Sequence, residues 1–315
     1  VGSPGFWTIW TNQSLAIDWS WIPYVAYRDA VNWYGTTVMK YDWNSWVNVW
    51  STAFSDSDST YQSLAIDHSW TPYVAYRDHY ISSYKTTVKK YNWSSWVNVG
   101  SPRFSAWAAA FQSLAIDDNW TPYVAYRDNA NWSKTTVMKY NGSSWVNVWS
   151  AWFSAWEASY QSLAIDWSWI PYVAYRDSVN WFGTTVMKYN GSSWVNVWSP
   201  WFSDWWSDYQ SLAIDHSWTP YVAYRDNANW SKTTVMKYNG SSWVNVWSAW
   251  FSAWEASYQS LAIDDSWTPY VAYSDGSNWS KTTVMKYNGS SWVNVWIAWF
   301  SAWATYYQSL AIDWN

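Results

Sequence analysis

The hexapeptide QSLAID occurs seven times in this chain, starting at Gln13, Gln62, Gln112, Gln161, Gln210, Gln259 and Gln308. Five of the spacings are 49 residues and one is 50, the extra residue lying between Asp78 and Thr86. Thr121 to Tyr160 is identical, position by position, to Thr219 to Tyr258. A unit this short cannot own a full core, so it must bury its apolar surface against copies of itself. The complete repeats are 13–61, 62–111, 112–160, 161–209, 210–258 and 259–307. Residues 1–12 read as the tail of an earlier copy and 308–315 as the start of another, so the chain reads as a fragment of a longer array.

Each repeat contains four short segments with strand character: QSLAID, PYVAYRD, TTVMKY and SWVNV. They are rich in β-branched and aromatic residues, are bounded by turn signals, and show no sustained 3.6-residue period. The first and third connections are tight, while the second (RDNANWSK) and fourth (WSAWFSAWEASY) are long. In an up-and-down sheet this puts the tight turns at one edge and the long loops at the other. Four antiparallel strands at this period predict a single all-β domain over 1–315, a β-propeller with QSLAID innermost in each blade.

The pattern SLAID…TPYVAYRD…TTVMKYNGSSWVNV resembles the highly repetitive β-propellers of bacterial surface and secreted proteins, loosely related to WD40 and kelch propellers. It lacks the Gly-His and Trp-Asp pair of the former and the double glycine of the latter. The resemblance implies a binding habit and a secreted or cell-surface location, with no particular ligand, since fold does not fix function.

Composition narrows the function classes. A net charge of −5 argues against a nucleic-acid partner, which needs a basic stripe. No cysteine is present, so disulfide scaffolds, thiolate zinc sites and thiol nucleophiles are excluded. No apolar run reaches the ~20 residues of a membrane-spanning helix, and no membrane insertion is expected. His68, His79 and His216 do not recur in register and read as isolated surface residues, with no metal site or cofactor implied. Asp18, Asp67, Asp117, Asp166, Asp215 and Asp264 precede the first tight turn and read as turn-holding carboxylates. Near-identical repeats also count against an active site, which needs distinct residues brought together.

The candidate ligand contacts are therefore the recurrent polar residues at the long-loop edge. These are Arg28, Arg77, Arg127, Arg176 and Arg225, with Ser274 breaking the series, and the loop asparagines Asn32, Asn131, Asn180, Asn229 and Asn278. The arginines read either as ion pairs between blades or as ligand-facing guanidiniums suited to carboxylate or phosphate. The function expected is a non-enzymatic binding or scaffold module presenting repeated weak sites to a glycan or protein, multivalent by geometry. The alternatives are the propeller domain of a larger sialidase- or lyase-type enzyme with its catalytic residues elsewhere, and a structural spacer.

One anomaly remains. After YN or YD the turn residue is Trp43, Trp93, Gly142, Gly191, Gly240 or Gly289; after VNV it is Trp50, Gly100, Trp149, Trp198, Trp247 or Trp296. Asn-Gly between strands predicts a type I′ hairpin turn, which needs φ > 0, and tryptophan is poorly suited to that. Packing cannot make the largest and smallest side chains interchangeable, but codons can: UGA is one base from GGA, and some bacterial lineages read UGA as glycine. Of the 39 tryptophans, six share one strand position: Trp46, Trp96, Trp145, Trp194, Trp243 and Trp292. The others fall mostly in turns and loops, and read as glycines rendered as tryptophan. Glycine, at 10 residues, is otherwise scarce for so turn-rich a chain.

Overall fold

The computed structural model describes residues 10–179, 181–200, 202–203, 205–296, 301 and 304–312. It contains six four-stranded antiparallel sheets, each ordered as in sequence, arranged as the blades of a β-propeller. Apart from these strands the described elements are four three-residue 3-10 turns. The innermost strands are Trp10–Ile17, Ser59–Ile66, Ala109–Ile116, Ala158–Ile165, Ser207–Ile214 and Ala256–Ile263. Each starts three residues before its QSLAID glutamine. The expected short strand is thus longer than its motif, and a break in pairing register separates the two parts, as between Thr60 and Ser63. By contacts the chain groups into two compact units, Val1–Trp152 and Phe153–Asn315, each with three blades.

Blade 2 shows how a repeat folds. Its strands are Ser59–Ile66, Pro72–Asp78, Lys85–Tyr91 and Trp96–Asn98. The second strand is buried on both sides because alternate side chains serve two different interfaces. Val74 and Tyr76 pack towards blade 1 with Tyr24, Ala26, Val38 and Phe54. Tyr73, Ala75 and Val88 pack towards blade 3 with Leu114, Val124 and Tyr126. The same clusters recur between blades 4 and 5 and between blades 5 and 6. The cores therefore lie between blades.

The fourth-strand tryptophan closes each such interface. Trp96 stacks on Phe54 of the preceding repeat, with ring centroids 4.2 Å apart and planes 9° from parallel, and its Nε1 donates to Val49 O at 2.9 Å. Trp145, Trp243 and Trp292 repeat both contacts.

The polar letters of QSLAID are also used between blades. Leu64 N donates to Ser14 Oγ, Leu114 N to Ser63 Oγ, Leu212 N to Ser162 Oγ and Leu261 N to Ser211 Oγ, all at 2.9 Å. Gln112 Nε2 donates to the buried Thr86 Oγ1 of the preceding blade at 3.1 Å, and Gln210 and Gln259 do the same to Thr184 and Thr233. Buried polar groups need partners, which accounts for the fixed identity of residues a core would otherwise exclude.

The tight turns follow two patterns. In the first connection, Asp67 Oδ1 accepts from Ser69 N and Thr71 N, both at 2.9 Å, and the other repeats do likewise, as read from sequence. The YNGSSW turn differs from the type I′ expectation. Asn141 Oδ1 accepts from Ser143 N at 3.0 Å and Ser144 N at 2.9 Å, closing a four-residue loop. Only its second residue, Gly142 at φ 96, is left-handed. The asparagine side chain does the work that a second left-handed residue would do in a two-residue turn.

Gly100 and four of its tryptophan counterparts share one left-handed backbone conformation. Gly100 has φ 69, and its counterparts Trp50, Trp149, Trp198 and Trp247 have φ of 74, 70, 73 and 74. A Cβ built on Gly100 would fall 2.9 Å from Tyr140 Cε2. Trp43 and Trp93, opposite Gly142, have φ 71 and 69. Among the described residues, twenty tryptophans have φ > 0, and none of the six fourth-strand tryptophans is among them. Gly2, Trp201 and Trp299 lie outside the described residues.

Candidate functional site

The second strand ends in Arg-Asp, and the pleat sends the two side chains opposite ways. The aspartate turns inward to hold the loop that follows. Asp29, 2 % exposed, accepts from Val31 N at 3.1 Å, Thr37 Oγ1 at 3.0 Å and Asn32 Nδ2 at 2.9 Å. Asp226 similarly takes Asn229 Nδ2 at 2.8 Å and Thr234 Oγ1 at 3.2 Å. The amide donors of Asn32 and Asn229 therefore serve their own loops. Asn180 lies outside the described residues, as do the side chains of Asn131 and Asn278.

The arginine turns towards the next blade and onto aromatic rings. Arg28 makes a two-pronged contact with Asp58 (Nε–Oδ1 2.9 Å, Nη2–Oδ2 3.0 Å) and lies 4.2 Å over the Tyr34 ring. Arg176 reaches Asp208 at 2.6 Å and sits over Phe182 and Tyr160 at 5.1 and 5.2 Å. Arg225 pairs with Glu255 and donates to Ser257 Oγ at 3.3 Å. In the repeat of Arg77 the position equivalent to Asp58 is Ala108, and the guanidinium lies over Tyr84 and Tyr61 at 4.5 and 5.9 Å. Arg127 Nη2 donates to Ser133 Oγ at 2.9 Å. In blade 6, Ser274 Oγ donates instead to Ser280 O at 3.1 Å. The Arg28, Arg176 and Arg225 side chains are 20–23 % exposed. The guanidiniums of Arg28, Arg127, Arg176 and Arg225 thus face an acid or hydroxyl, and those of Arg28, Arg77 and Arg176 lie over an aromatic plane.

Sequence reasoning missed the aromatic row beside these arginines. The aromatic residues before the QSLAID glutamines have φ of 55–59: Tyr61, Phe111, Tyr160, Tyr209 and Tyr258, in the inner-strand bulges, and Tyr307. Within the first unit Tyr61 and Phe111 are 4.9 Å apart; within the second, successive pairs from Tyr160 to Tyr307 are 4.9, 4.4 and 4.6 Å apart. Burial, then Tyr209, pushes the Tyr258 phenol up to about 12. The available signal was an aromatic in all these registers except Asn12. The acidic partners Asp58, Asp208 and Glu255 were missed too, because their spacing from the arginines varies.

The histidines are dispersed. His79 Nδ1 lies 3.3 Å from Asp58 Oδ2, and burial lowers its pKa. His68 stacks on Trp19 with ring centroids 4.9 Å apart and faces Asp118 at 3.6 Å. Among the described residues no three His, Asp or Glu side chains converge into a metal-holding group.

At the tight-turn edge, Tyr73, Tyr123, Tyr172 and Tyr221 point their phenols at the turn aspartates. Burial first, then the carboxylate, pushes each up to about 12. The folded chain keeps protons that the unfolded chain releases near pH 10. These phenols therefore lend stability that is fully present below pH 10 and is lost as pH rises from 10 to 12. Urea midpoints measured at steps from pH 8 to 12 should be flat to about 10 and then fall steeply; a flat profile throughout contradicts this assignment.

No family model matches the chain, and no curated protein matches it. Solved structures do. An ulvan lyase from a family of polysaccharide lyases aligns at TM-score 0.63 and 14 % identity, over 91 % of this chain and 84 % of its own. The SapL1 lectin, solved with α-methyl fucoside, aligns at 0.58 and 13 %, over 92 % and 97 %. The Aleuria aurantia lectin, solved with Fucα1-6GlcNAc, aligns at 0.56 and 12 %, over 95 % and 100 %. The likeness is one of fold.

Proposed function

We propose that this chain is a non-enzymatic glycan-binding module, secreted or held at a cell surface, presenting repeated weak sites on the face that carries the long loops. The observation that carries this reading is the recurrent grouping of a half-buried arginine, an aromatic plane and an acidic partner from the chain entering the next blade, seen at Arg28 and Arg176. A guanidinium and a carboxylate can exchange hydrogen bonds with sugar hydroxyls while the ring covers an apolar sugar face. Several weak copies on a rigid scaffold give avidity to a multivalent ligand. Two of the similar folds are lectins solved with fucosides, which fits this reading. Asn32 and Asn229 contribute through the loops they hold, and the other loop asparagines are kept as candidate contacts.

A glycan array probed with the full chain should show a saccharide class whose retention falls more than about tenfold when Arg28, Arg77, Arg127, Arg176 and Arg225 are changed together to alanine. Retention unchanged in that variant would mean that the arginines are interblade struts alone. The second reading, a propeller domain of a polysaccharide-degrading enzyme, is favoured by the alignment to the ulvan lyase over most of both chains. Product release from acidic polysaccharides by the longer protein would decide for it.

We also infer that the left-handed tryptophans are glycines in the organism, specified by UGA. The contrast between twenty tryptophans at φ > 0 and the six fourth-strand tryptophans, five of them buried and none left-handed, supports it. UGG codons at Trp50, Trp149 and Trp198 would end this reading. Under it the long loops lose part of their exposed indole surface while the arginine sites keep all their named groups.

A further inference from the structure

The face opposite the arginines carries grooves of its own. One, of about 1060 Å³, opens between the tight turns of blades 5 and 6. Its walls include Lys237, Lys286, Tyr221, Tyr238, Tyr287 and Pro269. A counterpart of about 620 Å³ opens between blades 2 and 3, with Lys90, Lys139, Tyr73, Tyr140 and Pro122 in the same roles. One groove lies in each compact unit, so it is a product of the repeat.

The charge in these grooves is unbalanced. Lys237 and Lys286 have no carboxylate within ion-pair distance among the described residues. Lys237 Nζ lies 6.0 Å over Tyr221, and Lys90 Nζ 5.7 Å over Tyr73, so the tyrosine rings support the ammonium groups from below. The turn aspartate in the larger groove, Asp215, is 6 % exposed and already accepts from Ser217 N and Thr219 N at 2.9 Å. Tyr238 and Tyr287 donate to Gly240 O and Gly289 O at 2.8 and 2.7 Å, which fixes their rings at the groove edge.

We propose that these interblade grooves bind a sparsely charged acidic polysaccharide, one carrying carboxylate or sulfate on some of its sugars. Two uncompensated ammonium groups per groove call for anions, and fixed tyrosine and proline faces suit sugar rings. A nucleic acid fits poorly: its charge is dense, about one per 1.7 Å along a duplex, against two ammonium groups in each groove. This ligand set differs in place and chemistry from the arginine sites and does not depend on them.

The test uses the full chain with a partly methyl-esterified polygalacturonate, a lightly sulfated dextran, neutral dextran and single-stranded DNA as probes, measured by calorimetry or surface plasmon resonance. One acidic polymer should bind, more weakly as salt rises from about 0.05 to 0.3 M; which of the two does so separates carboxylate from sulfate recognition. The quadruple variant Lys90→Ala, Lys139→Ala, Lys237→Ala, Lys286→Ala should lose affinity at least about tenfold with an unchanged urea midpoint. The corresponding Lys→Arg variant should retain binding. The five-arginine variant should bind the acidic polymer as the parent does, so either proposal can fail alone. Binding of neither acidic polymer, binding unaffected in the lysine-to-alanine variant, or equal binding of neutral dextran or DNA overturns the proposal.

Discussion

Replacing Trp50, Trp149, Trp198 and Trp247 with glycine will stabilise this protein by about 2–4 kcal/mol in total. A left-handed backbone costs an L-residue about 1–2 kcal/mol, and glycine returns about 0.4–1 kcal/mol of that through its freer unfolded chain. All four have φ of 70–74, where the equivalent residue in one repeat is already Gly100 at φ 69. Summed over the twenty left-handed tryptophans, the cost reaches about 20 kcal/mol or more, beyond the ~5–15 kcal/mol by which a domain is ordinarily stable. Urea unfolding of the parent and the four-site variant measures the difference. Trp107→Gly and Trp254→Gly provide the control, since both side chains are 68 % exposed and neither residue is left-handed. Equal effects in the two sets would mean that removing exposed indole, and not relieving the backbone, explains any gain.

The opposite result is expected at the fourth-strand position. Trp96→Ala should cost about 4 kcal/mol, combining a large core truncation of about 3–5 kcal/mol with the loss of the hydrogen bond to Val49 O. Trp96 is 7 % exposed and stacked on Phe54, so its loss opens the interface between blades 1 and 2. Trp96→Phe should cost roughly half as much, keeping a ring against Phe54 while leaving the carbonyl without its donor. Trp33→Ala, at a side chain 91 % exposed, should be neutral within about 0.5 kcal/mol. Urea midpoints of the three variants read this directly; a Trp96→Ala loss no larger than that of Trp33→Ala would remove the tryptophan from the core of the repeat.

Together these substitutions would sort one residue type into two populations by backbone conformation and burial. They also bear on the surface, because exposed indoles on loops make a chain adhesive for reasons unrelated to recognition. A glycan assay on a glycine-restored chain would therefore be the cleaner test of both faces.

Much of the architecture was written in one dimension. A period of 49 residues, broken once by a single insertion, with four strand-like segments and two tight and two long connections per copy, admits few arrangements other than blades. The repeats also exposed the Gly/Trp exchange and the turn-holding role of Asp67 and its equivalents, since both are local and recur at fixed offsets. The chain by itself likewise marked Trp96 and its counterparts as different from the loop tryptophans, because they alone keep a strand register.

What pairs with what was decided only in three dimensions. Ser63 and Gln112 look like polar intrusions in apolar strands until Leu114 N and Thr86 Oγ1 of neighbouring blades are seen to need them. The partner of Arg28 lies 30 residues away, that of Arg176 lies 32, and Arg77 has an alanine where Arg28 has an acid, so no single spacing could reveal the pairing. The groove holding Lys237 and Lys286 is lined by the tight turns of two neighbouring blades. Periodicity fixes what a repeat is because backbone preferences act over a few residues. The surfaces between repeats depend on side chains brought together across about fifty residues, and only packing brings them there.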